Sequence, residues 1–134
     1  MTRPSRTLPV PTPDSDEFWR GCLAGKLRMQ RCDECGELNW FPRGVCVNCS
    51  SSALTWTDLS GRGTVYSFSV VSRPPNNSFP PEYVLALVDL DEGPRVMTHL
   101  VDMAPSDAAI GMSVAVRFDQ RSDEIALPVF TRAD

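Results

Sequence analysis

Two cysteine pairs, Cys32-x-x-Cys35 and Cys46-x-x-Cys49, stand ten residues apart and constrain this chain more than any other feature. A Cys-x-x-Cys turn presents both sulfurs to one ion, and two such turns complete a tetrahedral set of thiolates. Gly36 and Ser50 follow the second sulfur of each pair, where the backbone must curl beneath the metal. The spacing predicts a zinc ribbon. Disulfides are disfavoured by the odd total of five cysteines and by the lack of a signal-peptide pattern at the N-terminus. A redox dithiol needs one pair rather than two. Iron in a rubredoxin-like site is the competing metal, because four thiolates accept either ion.

A four-thiolate zinc site has no open position, so it neither activates water nor polarises a substrate. It contributes folding free energy instead, on the order of 10–16 kcal/mol of apparent metal binding in small zinc domains. The expected role of the metal, Zn2+, is therefore structural.

At 134 residues the chain suits one compact domain or two small modules sharing a core. No apolar run approaches the length of a membrane span, and Met1-Thr2-Arg3-Pro4-Ser5-Arg6 lacks the apolar core of a signal peptide. The expected setting is the cytoplasm, with no membrane partner. The net charge of −4 is uneven: residues 1–81 carry nine basic and seven acidic side chains, residues 82–134 four basic and ten acidic. Nucleic-acid binders draw most of their affinity from neutralising phosphates, which so acidic a second half opposes. A nucleic-acid-binding zinc-ribbon and OB module is the alternative reading, since both folds occur in that role.

Along the chain, Pro4, Pro9, Pro11 and Pro13 predict an extended arm over residues 1–13. A short helix plus the ribbon is expected over 14–53. Asp14 is the expected N-cap with Glu17 three residues on, and Gly25 the stop. Phe18, Trp19, Cys22 and Leu23 form its apolar stripe, which makes Cys22 a core residue rather than a reactive thiol. Residues 26–31 read as a strand into the first knuckle, and 38–41 as its return. From 54 to 134 the pattern is strands and turns: 54–59, 64–72, 82–90, 95–102, 111–118 and 125–130. Alternation puts Tyr66, Phe68 and Val70 on one face of their strand, with Ser67 and Ser69 on the other. Residues 82–90 are apolar on both faces, as a central strand would be, and Pro128 implies an edge or bulged position. The expected fold is mainly β, a short helix and a rubredoxin-like ribbon followed by a small barrel, for which an OB-fold fits best; periodicity alone leaves an SH3-like barrel or a small sandwich open.

The motifs reach further. The runs Lys26-Leu27-Arg28-Met29-Gln30-Arg31-Cys32, Cys35-Gly36, Phe41-Pro42-Arg43 and Cys46-x-x-Cys49-Ser50 lead into Trp56, Ser60-Gly61-Arg62-Gly63 and Val65-Tyr66-Ser67. Asp89-Leu90-Asp91-Glu92-Gly93, Ile110-Gly111-Met112-x-Val114 and Leu127-Pro128-Val129-Phe130 follow. Together these resemble the DUF35 family of zinc-ribbon OB-fold proteins, over nearly the whole chain. The resemblance implies an accessory subunit of a thiolase-like enzyme, associated with acyl-CoA. The settings it implies include archaeal isoprenoid synthesis, polyketide-like acyl transfer and steroid side-chain breakdown, where the partner acts as an aldolase. A hetero-oligomer of two partner chains and two of these would follow from a thiolase dimer.

The residues themselves supply no obvious catalyst. His99 is the one histidine and lies in a predicted strand, where a barrel-wall or interface position is expected. No nucleophile elbow, P-loop or dinucleotide fingerprint is present, and Asp89-x-Asp91-x-Gly93 lacks the later ligands of a calcium loop. For an acyl-CoA ligand, Arg43, Arg62 and Arg73 are the candidates for phosphate contacts, since each falls in a turn or at a strand end. Phe79, in the loop bracketed by Pro74-Pro75 and Pro80-Pro81, and Tyr83 are the candidates to line an acyl or adenine site.

Overall fold

Helix α1 (Asp16–Leu23) begins one residue later than Asp14 would have it, and its N-cap, Ser15, makes no side-chain cap bond. The reciprocal pairing expected of Asp14 and Glu17 sits two residues earlier, between Thr12 and Ser15. The Thr12 N–H donates to Ser15 Oγ at 2.9 Å, and the Ser15 N–H donates to Thr12 Oγ1 at 3.2 Å. Glu17 is drawn away from a capping role by Arg28, with which it forms an ion pair. The stop is as expected. Gly25 has φ +77°, its N–H donates to the Cys22 carbonyl, and the Lys26 N–H reaches back to Gly21, the paired bonds of a Schellman ending.

The computed structural model describes residues 7–133. Of the predicted arm, residues 1–6, including Pro4, lie outside the described residues, and residues 7–12 have no regular secondary structure.

After the helix, β1 (Leu27–Cys32) runs antiparallel between β2 (Leu38–Asn39) and β3 (Leu54–Leu59). Residues 54–59 therefore pair with the ribbon strand, Cys32 opposite Leu54 and Leu27 opposite Leu59. A turn at Ser60 and Gly61 then opens β4 (Arg62–Val71). Glu92 fastens this junction, accepting from the Ser60 N–H at 2.7 Å.

Four more strands complete the barrel: β5 (Tyr83–Leu90), β6 (Arg95–Leu100), β7 (Ser113–Gln120) and β8 (Ala126–Arg132). They close in the order β4-β5-β6-β8-β7, with one parallel contact, Leu100 opposite Phe130, between β6 and β8. This is the five-stranded Greek-key barrel of an OB-fold. As its sequence implied, β5 lies centrally, between β4 and β6. Pro128 is neither at an edge nor bulged: it lies inside the seven-pair ladder of β8 with β7, opposite Phe118. It is tolerated because its carbonyl, which accepts from Thr98 Oγ1 at 3.4 Å, and hence its missing N–H face the β6 side, where β6 and β8 share a single registered pair.

One alternation differs from expectation. A bulge between Val65 and Ser67 inserts Tyr66 as an extra residue. Val65 enters the barrel at 1% exposure, whereas Tyr66 stays 49% exposed with the Arg95 guanidinium 3.4 Å from its ring centroid. Phe68 and Val70 keep the inner side, opposite buried Ala86 and Val84, and Ser67 and Ser69 the outer. The bulge arises from register with β5, which a pattern read along one strand does not contain.

Helix, ribbon and barrel share a core. Phe18 and Cys22 of α1 and Leu27 and Met29 of β1 are buried in one cluster with Val65, Val84, Val88, Leu100, Val114 and Phe130 of the barrel. Burial pushes the Cys22 thiol up to about 12, so it is a packing residue and not a nucleophile. No helix among the described residues is long and apolar enough to cross a membrane.

Candidate functional site

The two knuckles are copies of one hydrogen-bonded turn. In the first, the Cys32 N–H donates to the Glu37 carbonyl at 2.9 Å and the Gly36 N–H to the Cys32 carbonyl at 2.9 Å. In the second, Cys46 donates to Ser51 at 2.8 Å and Ser50 to Cys46 at 2.9 Å. Gly36 and Ser50 each take positive φ, +79° and +64°, at the point where the sequence asked the chain to curl. The four thiols of Cys32, Cys35, Cys46 and Cys49 are thereby gathered within 4.8 Å of one another.

The donor set fits zinc. A tetrahedral ion with bonds of about 2.3 Å would hold its sulfurs about 3.8 Å apart. Here Cys32 Sγ and Cys49 Sγ lie 3.5 Å apart, and Cys35 Sγ and Cys46 Sγ 3.6 Å. Electrostatics agree. The Asn39 side-chain amide donates to Cys46 Sγ at 3.5 Å and the Asn48 N–H at 3.4 Å, and with Asn39 as the main cause the Cys46 thiol is lowered to about 6. Cys32 is lowered chiefly by the Cys35 N–H, 3.5 Å from its sulfur. Cys49 behaves oppositely. The Ser51 N–H favours its thiolate, but the Cys32 thiol, desolvation and the thiols of Cys35 and Cys46 outweigh this and push it up to about 12. Four sulfurs this close ionise together only with a cation among them. A bound dication would neutralise that repulsion and hold both knuckles, leaving no position for substrate.

Sequence reasoning missed two buried amides that hold this centre. Asn39, 2% exposed, donates to Cys46 Sγ and accepts from the Val47 N–H at 3.0 Å. Gln30, 7% exposed, makes paired 2.9 Å bonds to the Arg43 N–H and carbonyl. No residue pattern distinguishes either from an ordinary surface amide; their partners come from a loop about ten residues away, once it has folded.

A second feature is an aromatic groove of about 280 Å³. Phe18 and Trp19 of α1, Trp40 and Phe41 of the ribbon, and Met97, His99 and Leu127 of the barrel line it. Its edge-to-face contacts run from Trp19 to Phe18 (4.9 Å) and from Phe18 to Trp40 (5.2 Å). Phe41 and Met97 leave 56% and 65% of their surfaces exposed at its mouth. Three elements distant in sequence build it, which is why it was not anticipated.

The predicted ligand residues divide. Phe79 stacks on Tyr83 at 5.5 Å, and Tyr83 lies 4.7 Å from the His99 ring, so these two join the groove through His99. His99 thus occupies the barrel wall, facing outward. Arg43 sits at the groove edge, its Nε–H donating to the Phe41 carbonyl at 2.9 Å. Arg73 is exposed just past the end of β4 where Val71 pairs with Tyr83. Arg62 is at the other end of that ten-residue strand, about 30 Å of extended chain away. The structure does not bring the three arginines together.

Comparison with known proteins follows the same division. Residues 19–55 match the family description "ChsH2, rubredoxin-like zinc ribbon domain", and residues 56–119 match "ChsH2, C-terminal OB-fold domain". A protein of Thermomonospora curvata named "Probable enoyl-CoA hydratase alpha subunit" is 37% identical over 133 residues, 98% of this chain and 42% of its own length. The "Benzoylsuccinyl-CoA thiolase subunit BbsA" of Geobacter metallireducens is 40% identical over 74 residues, 55% of this chain and 49% of its own. The chain thus spans less than half the length of either. A solved structure described as "Ltp2-ChsH2(DUF35) aldolase" contains a chain 35% identical to this one, with a TM-score of 0.85, covering 95% of this chain and all of that one.

Proposed function

This chain belongs to the ChsH2 (DUF35) family of zinc-ribbon OB-fold proteins, and on that premise we propose that it is a non-catalytic accessory subunit of a thiolase-like enzyme that acts on an acyl-CoA. One observation carries the reading: sequence like this chain's recurs in subunits named for a hydratase and, over about half of the chain, a thiolase, and its fold recurs in a structure named for an aldolase. A module common to three reaction classes supplies what they share rather than the bond-making chemistry of any. What two of the names share is a coenzyme A thioester.

The molecule suits that part. Its closed thiolate centre serves folding, and its groove offers apolar and aromatic walls to an acyl chain. Arg43, at the groove edge, is the arginine best placed for a coenzyme A phosphate; Arg62 is poorly placed for the same ligand. Phe79, Tyr83 and His99 would extend the wall toward the adenine or the acyl group. The partner would cleave or form a carbon–carbon bond, a steroid side-chain retro-aldol reaction among the candidates, in an assembly of two plus two chains. The excess of acidic over basic groups in residues 82–134 opposes the nucleic-acid alternative.

The test is affinity purification of the tagged chain from its native host, followed by assay of the recovered partner with and without it. A thiolase-like protein in stoichiometric yield, losing activity or solubility when alone, is the expected result. A partner fully active by itself on its acyl-CoA would overturn the proposal.

A further inference from the structure

Barrel closure through β4 is incomplete. Only residues 62–64 of β4 are in register with β7, and Val65 adds the last bonds, donating to Met112 at 3.0 Å and accepting from Gly111 at 2.9 Å. Past the bulge at Tyr66, residues 67–71 pair with β5 on one side, and on the other residues 66–71 take no backbone hydrogen bond among the described residues. Val70, though on the inner side, is 38% exposed there because β7 has diverged.

Soluble proteins blunt such edges with charge, proline or brevity. The ribbon's own outer strands obey this rule: β2 has two residues, and β3 carries Asp58, ion-paired to Lys26 and Arg28. The open half of β4 does not. Its sequence, Tyr66-Ser67-Phe68-Ser69-Val70-Val71, has no charge, no proline and no glycine, and it is rich in strand-forming residues. A row of free amides and carbonyls flanked by such side chains is complementary to one thing, another extended backbone.

Charge selects whose backbone that is. Arg73 follows the open segment and Arg62 stands near its beginning, and neither makes an ion pair among the described residues; Arg95, also near the beginning, is already paired with Asp89. Antiparallel pairing of two copies would bring Arg73 of each toward the Arg62 end of the other, setting like charges together at both ends. A different chain bearing carboxylates would instead be attracted there.

We propose that the open edge of β4, residues 66–71, receives an extended segment of the partner enzyme as an added strand, uncharged in its middle and flanked by Asp or Glu. This rests on the accessory-subunit reading, since the enzyme supplies the strand. It assigns Arg73 to the partner interface rather than to coenzyme A.

The test compares the full chain with the complex recovered from the native host, using amide hydrogen exchange and two variants. Ser69→Lys places a charge on an exposed position of the edge, and Arg73→Glu reverses the flanking charge; neither side chain is in the core. Exchange over 66–71 should slow about tenfold or more in the complex, and each variant should weaken partner binding about tenfold. If the partner binds while 66–71 exchanges as in the free chain, or if Ser69→Lys binds normally, the added strand is wrong and the accessory role survives. If no partner binds the wild-type chain, both fail. A free chain that dimerises with concentration, and stops doing so as Ser69→Lys, would identify a second copy as the occupant and overturn the proposal.

Discussion

The side chains buried in the ribbon differ in kind from those buried in the barrel. In the ribbon, two are the amides Gln30 and Asn39, and two more are the thiols Cys32 and Cys46. Each is held by directional bonds to a loop or to the metal site. In the barrel the interior is aliphatic and aromatic, from Val84, Ala86, Val88 and Leu90 to Phe130, with Thr98 its one buried polar side chain among the described residues. The ribbon is thus specified by geometry and charge, and the barrel by volume and area. The two meet in one cluster through Phe18, Cys22, Leu27 and Met29.

Removing the metal should separate these modes most widely. Stripping zinc with a chelator forfeits on the order of 10–16 kcal/mol of apparent binding energy, all of it from the knuckles. Residues 32–53 should then exchange their amides freely while β5 and β6 remain protected. Loss of protection throughout the barrel would show instead that the two regions form one cooperative unit.

Phe130→Ala makes the opposite cut. Truncating this side chain, 1% exposed, should cost about 3–5 kcal/mol in denaturant unfolding while zinc affinity holds. A parallel fall in zinc affinity would mean that the shared core transmits strain into the knuckles.

Asn39→Ala probes the ribbon without touching a sulfur. Losing its bonds to Cys46 and Val47 should cost about 1–3 kcal/mol, and it should move the acid release of zinc. Asn39 holds the Cys46 thiol low, so the thiolate survives until pH falls through about 6. Its contribution is complete above the ordinary thiol range and is lost on acidification. Without Asn39 the proton competes earlier, and half-release should shift to higher pH. An unmoved release curve would remove Asn39 from the centre.

The smallest effect should come from Asp58→Asn. Arg28, then Lys26, hold the Asp58 carboxyl below its ordinary range, but the groups are exposed. A slight loss of stability, present above the ordinary carboxylate range, vanishing toward acid and erased by salt, is expected in thermal melts.

What was legible in the sequence follows the same contrast. Cysteine spacing announced the knuckles and the curl at Gly36 and Ser50, which the structure realises as positive φ, because a metal imposes one geometry on its ligands. Strand period and turns located the strands. Alternation alone left an SH3-like barrel or a small sandwich open and did not show that residues 54–59 pair with the ribbon, since closure order and sheet membership depend on partners distant in the chain. The helix start was not legible, because Glu17 found Arg28 across space instead of its own backbone. Nor was the bulge at Tyr66, which continues the period of Phe68 and Val70 perfectly in one dimension. Asn39, Gln30 and the groove of Trp40, Met97 and His99 depend on contacts between distant segments. No local pattern encodes those.

The burial of Cys22 has a practical consequence. Four cysteines surround the ribbon centre, while the fifth lies in the shared core at 1% exposure. Under a thiol-alkylating reagent, the metal-loaded chain should resist modification, the stripped chain should gain four labels, and only a chain whose core has opened should gain the fifth. Intact mass alone would then report which part of each molecule had come undone.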